Sequence, residues 1–170
     1  MTTHTLTVMA LGDREVVMRR TFDAPRALVF DAWTKPEIVT RWLGVRAGWT
    51  MPVCEIDLRV GGRYRWVWEH ESGKKMGMGG EYREIVVPER IVATEKFDES
   101  WYRGGAVVTH VLTEDGAATV STVTVRYETT EARDIVLASP MEQGVSEGYA
   151  ALDAVLPEVA RGAEGRETSS

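Results

Sequence analysis

Three residues in the chain combine useful chemistry with strand spacing that would turn them inward: Tyr64, Glu95 and His110. An imidazole can take a proton as general base, and a phenol or carboxyl can donate one or orient the reacting group. On that reading His110 is the base, with Tyr64 or Glu95 as proton donor or orienting group. Plainer uses compete: His110 as a core histidine satisfied by the Ser121 hydroxyl, and Glu95 as a rim carboxylate paired with an arginine. His70, at a strand end before a loop, reads as solvated. Other chemistries find no support. Three scattered histidines and one cysteine offer no metal-ligand spacing, and no GxSxG nucleophile elbow occurs. Cys54 reads as a small buried hydrophobe. The stretch GKKMGMGG, 73 to 80, lacks the ending of a phosphate loop and runs into a strand, so no helix N-terminus awaits a phosphate. Its glycines instead make room for opposing tryptophans or form a bulge that bends the sheet. No cofactor is implied.

The elements that must position these groups are strands. In DLRVGGRYRWVWEH, 57 to 70, one face of the strand from 62 to 70 is Tyr64, Trp66, Trp68 and His70, and the other is Arg63, Arg65, Val67 and Glu69. Burying the second face would take two guanidiniums and a carboxylate out of water at several kcal/mol per ion. Burying the first gains on the order of 4 to 6 kcal/mol per large aromatic, as an upper estimate. The aromatics therefore point inward. A loop at Ser72, Gly73 and Lys74 would set Trp68 opposite Met78, Trp66 opposite Gly80 and Tyr64 opposite Tyr82, with Glu81 meeting Arg65 outside. A turn at Asp115-Gly116 would pair Leu112 with Thr119, His110 with Ser121, Val108 with Val123 and Ala106 with Val125. In the strand between, Ile91, Ala93 and Phe97 choose the inner face and carry Glu95 with them.

Alternation over 5 to 10 and 15 to 22, around Gly12-Asp13, predicts a first strand or hairpin. A short helix is predicted near 24 to 33, and a second with Thr34 as N-cap and Glu37 three residues on. From 53 to 128 the period is two. EARDIVLA, 131 to 138, is a further helical turn or two. A long last helix starts at Ser139, Pro140 and Glu142 and turns Met141, Val145, Tyr149, Leu152 and Leu156 to one side, with Gly144 and Gly148 thinning its flank.

The chain of 170 residues is expected to form one domain over 1–160, with RGAEGRETSS, 161 to 170, as a disordered tail. A net charge of −6 argues against a nucleic-acid partner. No apolar run reaches the roughly 20 residues of a membrane span. With no signal peptide visible and one cysteine, the expected setting is cytoplasmic.

The order of elements resembles the helix-grip fold of the START-like, Bet-v-1-like superfamily, SRPBCC. More narrowly, it resembles the branch related to the activator of heat shock protein 90 ATPase and to polyketide cyclase-like proteins. The motifs that carry this are RTFDAPRALVFDAWTKPEIVTRW at 20 to 42, MPVCEIDLRVGGRYRW at 51 to 66, GGEYREIVVPERIV at 79 to 92 and MEQGVSEGYAALDAVL at 141 to 156. The resemblance implies an α+β fold: a curved antiparallel sheet wrapped on the long helix, with two short helices between the first and second strands. It also implies a cavity for a small hydrophobic or amphipathic molecule. Tyr64, Trp66, Trp68, Met78 and Tyr82 would line it with Phe97, His110 and Tyr149, and Trp33 and Trp42 would stand near one mouth. A filled aromatic core is the plain alternative. A cyclase, dehydratase or hydrolase acting in the cavity is a second reading. A co-chaperone role on heat shock protein 90 is a third, disfavoured because the resemblance covers only the domain that gave the group its label. Exposed parts of Trp42, Trp49 or Trp101 would serve a homodimer contact or a pocket lid.

Overall fold

Alternating apolar and polar side chains dictate extended backbone through the middle of the chain, and the backbone follows. The computed structural model describes the backbone of residues 4–168 and the side chains of residues 4–162. Its strands are β1 (Thr7–Leu11), β2 (Glu15–Phe22), β3 (Trp49–Ile56), β4 (Arg63–His70), β5 (Lys75–Val86), β6 (Arg90–Phe97), β7 (Ala106–Asp115) and β8 (Ala118–Tyr127). They form one sheet in the order β1-β2-β8-β7-β6-β5-β4-β3, with every neighbouring pair antiparallel. Helices α1 (Arg26–Thr34) and α2 (Pro36–Val39) follow β2, α3 (Thr130–Ala138) follows β8, and α4 (Met141–Thr168) comes last. This is the α+β helix-grip arrangement. Helix α4 extends into the stretch whose composition predicts a tail.

Both predicted hairpins keep their faces but sit two residues from the predicted register. The β4–β5 loop is Glu71, Ser72 and Gly73, closed by the Gly73 N–H donating to the His70 carbonyl at 2.8 Å. Gly73, at φ 92°, fills the left-handed last position of a three-residue loop, not its centre. Trp68 consequently pairs with Met76, Trp66 with Met78 and Tyr64 with Gly80, while Glu81 pairs with Arg63. In the β7–β8 hairpin Gly116, at φ 62°, opens a turn completed by Ala117, so that Asp115 pairs with Ala118. His110 then faces Val123, Leu112 faces Ser121 and Val108 faces Val125. An even shift leaves each side chain on its predicted face, because the strand period is two.

Two predicted caps act elsewhere. Thr34 ends α1, its hydroxyl donating to the Phe30 carbonyl at 2.9 Å, and Lys35 occupies the N-cap of α2. Ser139 closes α3 by donating to the Val136 carbonyl, and the Pro140 carbonyl accepts from the Gly144 N–H. A hydroxyl that finds a carbonyl in the preceding turn is lost to the next helix.

Helix α4 is fixed across the sheet by a charge that alternation carries inward. Arg20 shares the inner face of β2 with Val16, Met18 and Phe22 and is 5% exposed. Its guanidinium grips Asp153 with two bonds, of 2.7 and 2.5 Å, and stands 4.8 Å above the Phe22 ring. Tyr149, Leu152, Val155 and Leu156 bury the adjoining face of α4. Ion pairs of Arg41 with Glu158 and of Arg46 with Glu147 hold the helix from the segment after α2.

The glycines of β5 serve backbone proximity more than tryptophan room. A Cβ on Gly80 would lie 1.8 Å from the Thr94 carbonyl oxygen on β6. Gly80→Ala is therefore expected to cost about 2 kcal/mol or more, seen as a lower urea midpoint. Gly148→Ala, whose Cβ would meet nothing within 4 Å, should raise that midpoint through helix propensity, by up to about 1 kcal/mol.

Candidate functional site

The inner face of the sheet carries rings that are large and rigid, while the helix side opposite carries Gly144 and Gly148. Between them lies a pocket of about 550 Å³. Tyr64, Trp66 and Trp68 enter it from β4, Met78 and Tyr82 from β5, and Ala93, Glu95 and Phe97 from β6. His110 comes from β7, Tyr149 from α4 and Trp33 from α1. The sequence also nominates Trp42, which borders this space but, at 1% exposure, belongs to the packed interior rather than to a mouth. Its indole N–H donates to the Ala32 carbonyl at 2.9 Å.

Two tyrosines the sequence reading passed over, and Trp101, named there for a lid or a dimer contact, complete the wall. Tyr127 continues the inward series Val123, Val125 on β8, so alternation could have found it. Tyr102 and Trp101 lie in the loop between β6 and β7, where no period exists to place them. Trp101 is 46% exposed and stands at the opening with Met76 and Arg46, the last paired with Glu147 on α4. His70 turns away into its loop, with Nδ1 on the Ser72 hydroxyl at 2.8 Å and Nε2 on the Ala47 carbonyl at 3.2 Å. Among the described residues no three His, Cys, Asp or Glu side chains gather as metal ligands.

Some polar atoms in the wall are satisfied by backbone. The Trp68 indole donates to the Leu43 carbonyl at 2.8 Å and the Tyr64 hydroxyl to the Thr94 carbonyl at 2.7 Å. Others are left over: the indole N–H groups of Trp33 and Trp66 and the Tyr102 hydroxyl are buried with no hydrogen-bond partner. A buried donor without a partner costs about 1–3 kcal/mol.

The acid and base groups are separated. His110 Nε2 lies 2.7 Å from the Ser121 hydroxyl, and its ring stands edge-on to Trp33 at 4.8 Å. Burial lowers the His110 pKa to about 4, so the ring is neutral at pH 7. Glu95 has no ion-pair or hydrogen-bond partner for its carboxyl among the described residues; the area it leaves accessible faces the pocket. Burial raises its pKa to about 7. Burial also pushes the Tyr64, Tyr102 and Tyr127 phenols up, and the Glu95 charge adds to each. Across β6 and β7, His110 pairs with Ile91 and Glu95 with Ala106. Four positions at about 3.3 Å each put the two groups roughly 13 Å apart along the strands. They do not converge on one bond.

The family described as Activator of Hsp90 ATPase homolog 1-like protein matches residues 23–157. A crystal structure of a protein from Rhodobacter sphaeroides is similar, with 31% identity, a TM-score of 0.85, and 90% of this chain and 98% of that one covered. A protein from Chromobacterium violaceum shares 28% identity at a TM-score of 0.69, over 82% of this chain and 95% of the other. The fold is also shared with an AHSA1-like protein from Aeromonas hydrophila, at 20% identity and a TM-score of 0.68, over 82% of this chain and 92% of that one. No curated protein sequence matches.

Glu95 and His110 impose opposite pH dependences on stability. The folded-state pKa of Glu95 is raised from 4.5 to about 7, so the stability its proton confers is complete below 4.5 and lost as pH rises through 7. That of His110 is lowered from 6.5 to about 4, so stability is complete above 6.5 and lost as pH falls through 4. Each swing is bounded at roughly 3 kcal/mol. In urea unfolding from pH 4 to 8, Glu95→Gln should remove the loss toward pH 8 and His110→Gln the loss toward pH 4.

Proposed function

The chain belongs to the Activator of Hsp90 ATPase homolog 1-like family, and from that premise we propose that it binds a small, largely apolar or amphipathic molecule between the sheet and α4, within one domain over residues 1–160. The fold commonly binds hydrophobic ligands. One observation carries the reading for this chain: a space of about 550 Å³ walled by aromatic and aliphatic side chains, left open between sheet and helix. A core meant to be closed would fill such a space. Ligand pockets have this size and character.

Catalysis is the weaker reading. Glu95 titrates near neutrality, as proton transfer at pH 7 requires. Yet the Tyr64 hydroxyl, whose phenol feels the Glu95 charge, is engaged by the Thr94 carbonyl, and His110 is held at the other end. A single titrating group without a positioned partner fits recognition better than turnover.

Nile red, a neutral apolar dye, should bind saturably with a blue-shifted emission and quench tryptophan fluorescence. Gly148→Phe, which projects a ring from α4 where a Cβ meets nothing within 4 Å, should weaken that binding about tenfold or more without lowering the unfolding temperature. Dye emission at background, with tryptophan emission unmoved, would sink the reading. A chaperone ATPase rate that rises on adding the protein, with no dye bound, would favour the co-chaperone role instead.

A further inference from the structure

We infer that the molecule taken by this pocket carries an organic ammonium group, seated against the Glu95 carboxylate among the surrounding aromatic faces; the inference rests on the pocket being a ligand site. The other charges turned toward the sheet's covered face are matched. Arg20 holds Asp153, and Arg133 holds Asp134 and the Gly12 and Glu15 carbonyls. Glu95, the one carboxylate among the described residues that line the pocket, has no cation beside it.

Its surroundings are of one kind. The register sets Glu95, Ala106 and Tyr127 in one row across β6, β7 and β8, and the small Ala106 leaves the Tyr127 side open to Glu95. Tyr64 anchors its hydroxyl on the carbonyl of Thr94, the residue before Glu95. Tyr102 stands perpendicular to Tyr127, with ring centroids 5.2 Å apart, and Trp101 is 5.1 Å from Tyr102 and 4.9 Å from Phe97. Ring faces attract cations, and more strongly where water is excluded. A carboxylate beside several such faces is a charge-matched seat for an alkylammonium. The aliphatic remainder of the ligand would run toward Val108, Val123 and the Trp33 ring.

The same arrangement works against other headgroups. Around Glu95 the titratable groups are phenols: Tyr64 from β4, Tyr82 from β5, Tyr102 from the β6–β7 loop and Tyr127 from β8. His110 on β7, bonded to Ser121, and Tyr149 on α4 lie toward the far end. Arg46, the one guanidinium among the lining residues, stands at the opening and is committed to Glu147. A fatty carboxylate would meet Glu95 with no counter-charge, and like charges in a low-dielectric site repel strongly. An alcohol would gain a hydrogen bond and no ion pair.

The test is calorimetric titration of the full chain at pH 8 with octyltrimethylammonium, octanol and octanoate, which share a tail and differ in headgroup. The ammonium should bind about tenfold or more tighter than octanol, with octanoate weakest. Because its charge is permanent, its affinity should rise between pH 5.5 and 8 as Glu95 ionises. Glu95→Gln should bring the ammonium down to the affinity of octanol and flatten that pH dependence. Equal affinity for ammonium and octanol in the unaltered protein would overturn the inference and leave the pocket reading standing, as would a preference that survives Glu95→Gln. Failure of all three to bind would remove both. The headgroup series on the unaltered chain decides the matter even if the variant does not fold.

Discussion

The alternation of guanidiniums with aromatic rings along β4 sets the orientation of the whole molecule. A strand cannot rotate one side chain without rotating its neighbours, so Tyr64, Trp66 and Trp68 can leave water only if Arg63 and Arg65 stay in it. Arg63 is exposed, and Arg65 pairs outside with Asp98 through bonds of 2.7 and 2.5 Å. That pairing holds the Asp98 carboxyl below its ordinary pKa. Antiparallel pairing then passes the choice to β5 and β6, and Met78, Tyr82, Ala93, Glu95 and Phe97 must follow the rings inward. The covered face of the sheet is decided strand by strand from this one.

A pocket remains because the helix that covers this face is held at its edges. Ion pairs at Glu147, Asp153 and Glu158 spread along α4, and Leu152, Val155 and Leu156 pack its second half. Its first half presents glycine at 144 and 148 to the widest rings of the sheet. Closing the gap would mean breaking the bidentate Arg20–Asp153 contact, and a buried guanidinium left without its carboxylate costs several kcal/mol. Dispersion lost at the pocket wall is the smaller penalty, spread over many weak contacts.

The legible and the illegible parts of this structure divide along physical lines. The faces of β4 to β8 follow from a period of two and from the cost of burying charge, which is why the seven nominated residues on these strands border the pocket. Register depends on which position of a loop takes a positive φ, and a Gly in the sequence does not say whether it comes first or last; both hairpins therefore sit two residues away. Caps fail for a related reason, since the hydroxyls of Thr34 and Ser139 had carbonyls in the preceding helix to choose from. Arg20 was invisible because its partner, Asp153, is far along the chain and on another element. Tyr102 was invisible because loops have no period.

Glu95 is the residue that packing and stability leave unexplained. A carboxyl in an apolar enclosure disfavours its own charged form, and a neutral isostere of the same shape would relieve that cost. Nor does it organise its neighbours: the Tyr64 hydroxyl turns to the Thr94 carbonyl, and the Tyr102 hydroxyl stays without any partner. The ladder between β5 and β6 lapses beside it, where the Glu81 N–H donates to the Thr94 hydroxyl. His110 contrasts at each point, being neutral at pH 7 and bonded to Ser121. On the proposed reading, an acid that no group in the described protein pairs with has its complement in the ligand. Its position on β6, beside the small Ala106 and among aromatic rings, is what gives the inferred ammonium a seat with room for an apolar body behind it.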